Sequence, residues 1–104
     1  MPQQFDLVEN LDPDGRGQYP FLIVLQHDRV SSTTSVVVAP LVEASPAFAG
    51  TRLHPRVAVA GRQYFVFIED LAAIPKGTLG RVVGSAEPDR YSIVAALDLL
   101  FTGI

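Results

Sequence analysis

The sequence predicts a mainly β fold, a small antiparallel barrel or sheet of SH3-like type with one helix packed across it. Short apolar runs punctuated by Gly, Pro, Asp and Asn recur from the start of the chain to about residue 83. Only the final stretch carries apolar residues at helical spacing. Because no strand–helix alternation precedes it, a parallel α/β sheet is not expected.

Size and composition narrow the class. With 104 residues, the chain reads as one domain over residues 1–104, long enough for a real core and short enough that dimerisation is expected. It is 48% hydrophobic with a mean hydropathy of +0.27. No apolar run nears the roughly 20 residues that span a bilayer. The absence of cysteine excludes disulfides, thiol catalysis and thiolate metal sites. The opening Met-Pro-Gln-Gln-Phe-Asp lacks the basic and apolar regions of a signal peptide, so the cytoplasm is the expected location. Eight basic against 11 acidic residues leave a net charge of -3, so binding to nucleic acid would need a local basic patch.

The elements follow in order. Residues 3–9 alternate loosely and predict an opening strand; residues 10–17 are dense in turn formers and predict a mobile hairpin loop. Residues 19–26, Tyr-Pro-Phe-Leu-Ile-Val-Leu-Gln, form a nearly unbroken apolar run, the pattern of a central strand covered on both faces, with Pro20 at its entry. Residues 31–35 read as a polar loop and residues 36–42 as a second buried strand, in which Pro40 predicts a bulge or an edge. After a loop over residues 43–50, residues 56–60 and 63–68 flank Gly61-Arg62, a predicted two-residue hairpin turn. Within the second of these strands Phe65 and Phe67 are expected to share a core face, with Tyr64 turned the other way. Residues 71–74 lead to Pro75 and a turn at Lys76-Gly77, and residues 78–83 read as a short strand or turn. Residues 85–88 open the helix, where Pro88 suits the first helical position.

On that helix Ile93, Val94, Leu97, Leu100, Phe101 and Ile104 predict one apolar stripe facing the core, with Tyr91, Asp98 and Thr102 on another face. The chain stops at Gly103-Ile104 with no polar tail, which leaves two readings: a helix cap at Gly103 with Ile104 folded back, or a terminus that is used.

Candidate chemistry is sparse. His27 and His54 lack any metal-ligand spacing, and no serine sits in a nucleophile turn. No glycine-rich loop with a lysine cradles a phosphate. Glu69-Asp70 and the pair Asp12 and Asp14 read as solvated acids. Arg52, Arg56, Arg62 and Arg81 would form a basic patch only if their strands are neighbours. No cofactor and no metal are expected.

The segments Gln4-Phe5, residues 19–28, Val38-Ala-Pro-Leu41, Leu53-His-Pro-Arg-Val57, the strand at Gln63, Asp70-Leu-Ala-Ala-Ile-Pro75 and the closing Leu-Leu-Phe-Thr-Gly-Ile together resemble the CcdB toxins of bacterial toxin–antitoxin modules. The likeness covers nearly the whole chain. It implies a cytoplasmic homodimer that is not an enzyme and that traps DNA gyrase, through its A subunit, with DNA cleaved. It further implies a cognate CcdA-like antitoxin, which wraps the dimer and ties it to transcription regulation. Nucleic acid would be met only through these partners, and no membrane is involved. Carried over residue by residue, the gyrase-binding positions are Asp98, Phe101, Thr102, Gly103 and Ile104 on the helix and His27, Arg29 and Val30 after the second strand. Three depart from the family pattern: Thr102 stands where a tryptophan is usual, Arg29 where an apolar residue is usual, and Asp98 in place of a neutral amide. These departures leave gyrase or topoisomerase IV as targets, and also a degenerate member that keeps the dimer and antitoxin binding alone. The SH3-like fold is shared with MazF-type toxins, so an mRNA endonuclease using Arg16, Arg56 and Arg62 with Thr33 or Thr34 is the alternative from a different class.

Overall fold

The computed structural model describes residues 2–30, 33–48 and 50–104. Among the described residues seven strands form one antiparallel system: β1 (Asp6–Asn10), β2 (Phe21–Val24), β3 (Ser35–Glu43), β4 (Arg56–Val59), β5 (Arg62–Val66), β6 (Ala72–Pro75) and β7 (Leu79–Ser85). One helix, α1 (Arg90–Thr102), follows. The strand order is β4-β5-β3-β2-β1-β7, with β6 added beside β3. This mainly β half-barrel with a C-terminal helix is the fold class the sequence predicts.

The long strand β3 organises the sheet. One flank pairs with β2 over Val38 to Pro40; the other pairs first with β6 over Ser35 to Val38 and then with β5 over Leu41 to Glu43. Pro40 is buried at the point where that second flank passes from β6 to β5. A proline has no N–H to lose there, and its carbonyl accepts the Phe67 amide at 3.0 Å. Pro40 thus marks a change of partner, where the sequence suggested a bulge or an edge.

The central strands are covered on both sides, as their unbroken apolar runs predict. Ile23, Ala39 and Leu41 enter the main core with Phe5, Leu7, Val57, Val66 and Ile68. Leu22, Val24, Val36 and Val38 join Val8 in a second cluster, against which Ile74 and Leu79 pack. The helix closes the main core with Ile93 and Ala96, both fully buried.

Some details differ from expectation. The β4–β5 turn is Ala60-Gly61, one residue earlier than predicted, since Val59 pairs with Arg62. Both residues have positive φ, 52° and 80°, the geometry of a type I′ turn. Tyr64, expected to face away, lies in the main core. Phe65 and Phe67 do share a face, but it is the opposite one, where Phe48 meets Phe65 edge-on at 5.1 Å and His54 lies against Phe67. The first strand starts at Asp6, and α1 is preceded by a 3-10 turn at Glu87–Asp89 that contains Pro88. The residues expected to form a mobile loop after β1 are tied down at its base, because the buried Asn10 donates from Nδ2 to the Tyr19 carbonyl at 2.9 Å and accepts the Asp12 amide at 3.0 Å. Of the polar loop at 31–35, Ser31 and Ser32 lie outside the described residues.

Candidate functional site

The helix end is built by its packing and its cap. At about 100° per residue, Ile93, Ala96, Leu97 and Leu100 fall on one arc and pack into the core. Tyr91, Val94, Asp98 and Phe101 occupy the opposite arc and are exposed. The single apolar stripe expected from the sequence is therefore divided, because Val94 and Phe101 lie beyond the edge of the buried arc.

Gly103 terminates the helix in the left-handed region at φ +77°, its amide donating to the Leu99 carbonyl at 3.0 Å. Thr102 returns its hydroxyl to the Asp98 carbonyl at 2.6 Å. Of the two readings of this end, the cap is present but Ile104 is not folded back: its exposure is 85%, and that of Phe101 is 69%. An isoleucine and a phenylalanine so placed offer apolar area that none of the described residues covers.

The other sequence-predicted positions gather at the β2–β3 connection. Asp28–Val30 form a 3-10 turn, with His27, Arg29 and Val30 all exposed. The turn is held from within: the Arg29 amide donates to His27 Nδ1 at 3.0 Å, and Gln26 Nε2 donates to the Val30 carbonyl. Asp28 Oδ1 also accepts the Gln4 amide at 2.8 Å, which anchors the turn to the start of the chain. His27, Arg29 and Val30 thus form one group, and Asp98 to Ile104 another. Among the described residues no hydrogen bond or ion pair joins the two.

A third cluster escaped the sequence reading. His54 is held at both nitrogens, Nδ1 2.8 Å from Thr51 Oγ1 and Nε2 2.7 Å from Glu69 Oε2. Its ring also lies against Phe67, with centroids 4.6 Å apart, and Phe48 at 5.1 Å. Glu69 is exposed, as expected of a solvated acid, and it also ties the loop over residues 50–55 to the 3-10 turn Ile68–Asp70 that leads into β6. The only advance signal was a histidine before a proline.

The arginines do not form the single patch that neighbouring strands would have allowed. Arg62 pairs with Glu43 at 3.1 Å and Arg81 with Glu9 at 3.7 Å. Arg52 and Arg56 line one cleft with Thr51 and His54. Among the described residues no helix is long and apolar enough to cross a membrane.

The chain matches the family model described as CcdB protein over residues 4–103. No curated protein matches it by sequence. Among solved structures it is similar to an endoribonuclease in complex with its cognate antitoxin from a mycobacterial species, at 17% identity and a TM-score of 0.74, over 94% of this chain and 92% of that one. It is also similar to an Mtb toxin, at 19% identity and a TM-score of 0.72, over 91% of this chain and 99% of that one. At such identities these two likenesses speak to the fold.

Proposed function

The chain belongs to the CcdB protein family, and from that premise we propose that it is the toxin of a toxin–antitoxin pair. It acts in the cytoplasm as a homodimer, without catalysing a reaction, and traps the A subunit of DNA gyrase or a related type II topoisomerase. The observation that carries this reading is the capped end of α1, where Phe101 and Ile104 stand exposed beyond the packed part of the helix. Two such ends across a two-fold axis make a self-symmetric apolar wedge, suited to a symmetric target. Asp98, Thr102 and Gly103 complete the helix contribution, and His27, Arg29 and Val30 supply a second contact.

The partner in the resting state is a CcdA-like antitoxin segment that orders on binding and covers these surfaces. Inducing the toxin without its antitoxin tests the reading. Growth arrest is expected for the natural chain and should be lost for Phe101→Ala and for Ile104→Asp, with thermal stability retained because both side chains are exposed. Undiminished arrest by both variants would count against a role for the helix end.

The likeness to an endoribonuclease fold favours a second reading, RNA cleavage. The residues expected for it are engaged elsewhere: Arg62 is paired with Glu43, the Thr33 hydroxyl donates to the Ser35 carbonyl, and the Arg56 guanidinium lies over the Phe65 ring. Incubating the purified protein with mixed RNA tests this, and cleavage lost in Arg56→Ala would support it.

A further inference from the structure

We propose that the cleft between residues 50–54 and β4 binds a phosphate ester of a nucleic-acid strand through Arg52 and Arg56. The cleft is open to solvent, has a volume of about 350 Å³ and is lined by Gly50, Thr51, Arg52, His54, Arg56 and Phe65.

Its charge is uncompensated. Arg62, Arg81 and Arg90 each have a glutamate partner, but among the described residues neither Arg52 nor Arg56 has a carboxylate within ion-pair distance. The nearby Glu69 carboxylate is taken up by His54. A chain of net charge -3 therefore keeps two arginines without a carboxylate partner on the lining of one concavity.

The walls are fixed. The Arg56 guanidinium lies over the Phe65 ring, 5.2 Å from its centroid, an arrangement in which the ring face attracts the cation and limits its rotamers. Gly50 sits at φ +77°, and a Cβ there would lie 2.5 Å from Phe65 Cε1, so the loop approaches the ring as closely as a glycine permits. Thr51 accepts the Leu53 amide at 3.1 Å and contacts His54 at 2.8 Å, so its hydroxyl sets the loop and the ligand donors are the two arginines.

Two forks in one cleft select the ligand. The two non-bridging oxygens of a phosphodiester can each accept from a different guanidinium fork, and a strand brings such groups at regular intervals along its backbone. Because the cleft is open, a phosphate within a strand can enter as well as a terminal one.

The test is fluorescence anisotropy of a dye-labelled, mixed-sequence, single-stranded RNA titrated with the full chain. Salt-sensitive binding is expected. Arg52→Ala and Arg56→Ala should each weaken it about tenfold, as loss of a charge-assisted hydrogen bond does, and Arg56→Lys should fail to restore it because the fork is gone. Arg90→Ala, outside the cleft and paired with Glu87, should leave it unchanged. Both cleft arginines are exposed, and melting curves establish that the variants fold. Displacement of the RNA by inorganic phosphate at equal concentration would overturn the assignment to a strand in favour of free phosphate. Equal displacement by a polyglutamate peptide would overturn the phosphate assignment. No binding, or binding indifferent to Arg52 and Arg56, would overturn the site itself. None of these readouts involves a topoisomerase, so their failure is separate from failure of the toxin reading.

Discussion

The Gly103 amide donates to the Leu99 carbonyl at 3.0 Å, with Gly103 held at φ +77°. That relationship ends α1 at Thr102, with Gly103 as its cap, and leaves Ile104 outside the helix. A side chain at 103 would meet nothing within 4 Å, so the cost of substitution lies in the backbone alone. Gly103→Ala should cost about 1 kcal/mol locally. We expect faster hydrogen exchange at the Gly103-position amide, with little change in global stability, and a weaker toxin. A slowed exchange would contradict the cap.

Ile93 is the fully buried anchor of α1. Ile93→Ala should cost about 2–5 kcal/mol by loss of buried area and the cavity left behind. Urea denaturation reads this out, and the same substitution at the exposed Val94 should cost well under half as much. Equal costs would mean that the helix presents a different face to the core.

Ala60 sits at φ +52° in the β4–β5 turn, a region that disfavours any residue with a Cβ. Ala60→Gly should therefore stabilise the protein, by up to about 1 kcal/mol. A rise in the denaturation midpoint is the expected result; a fall would show that the glycine's chain entropy outweighs the relief of strain.

Thr102 donates its hydroxyl to the Asp98 carbonyl at 2.6 Å and occupies the place where the resemblance implies a tryptophan. A buried aromatic anchor is worth about 2–4 kcal/mol at an interface. Thr102→Trp is therefore expected to tighten binding to a gyrase adapted to the usual family pattern by about 30-fold to 1000-fold. If it instead weakens binding to the host gyrase, the target has adapted to threonine.

How much of this was legible follows from the range of the forces. β2 and β3 were readable because burial on both faces leaves an unbroken apolar run. The hairpin was readable because Gly61 signals a turn, yet its register was missed by one residue, since alanine carries no mark of a positive φ. The helix was readable, but its outer face was not: Val94 and Phe101 look like core residues until the position of the sheet decides which arc is covered. His54 and Glu69 are 15 residues apart and meet only because the loop after β3 folds over Phe65 and Phe67. No local pattern encodes that meeting. The free pair Arg52 and Arg56 was hidden for the same reason, as only the fold shows which arginines find a glutamate.

The most direct test of the central claim is a plasmid cleavage assay with host gyrase, ATP, supercoiled DNA and the purified chain. Linear DNA is the predicted product with the natural sequence, sharply reduced with Phe101→Ala and with Ile104→Asp. A folded dimer that leaves the plasmid uncleaved, or that linearises it equally well with both variants, would contradict the account.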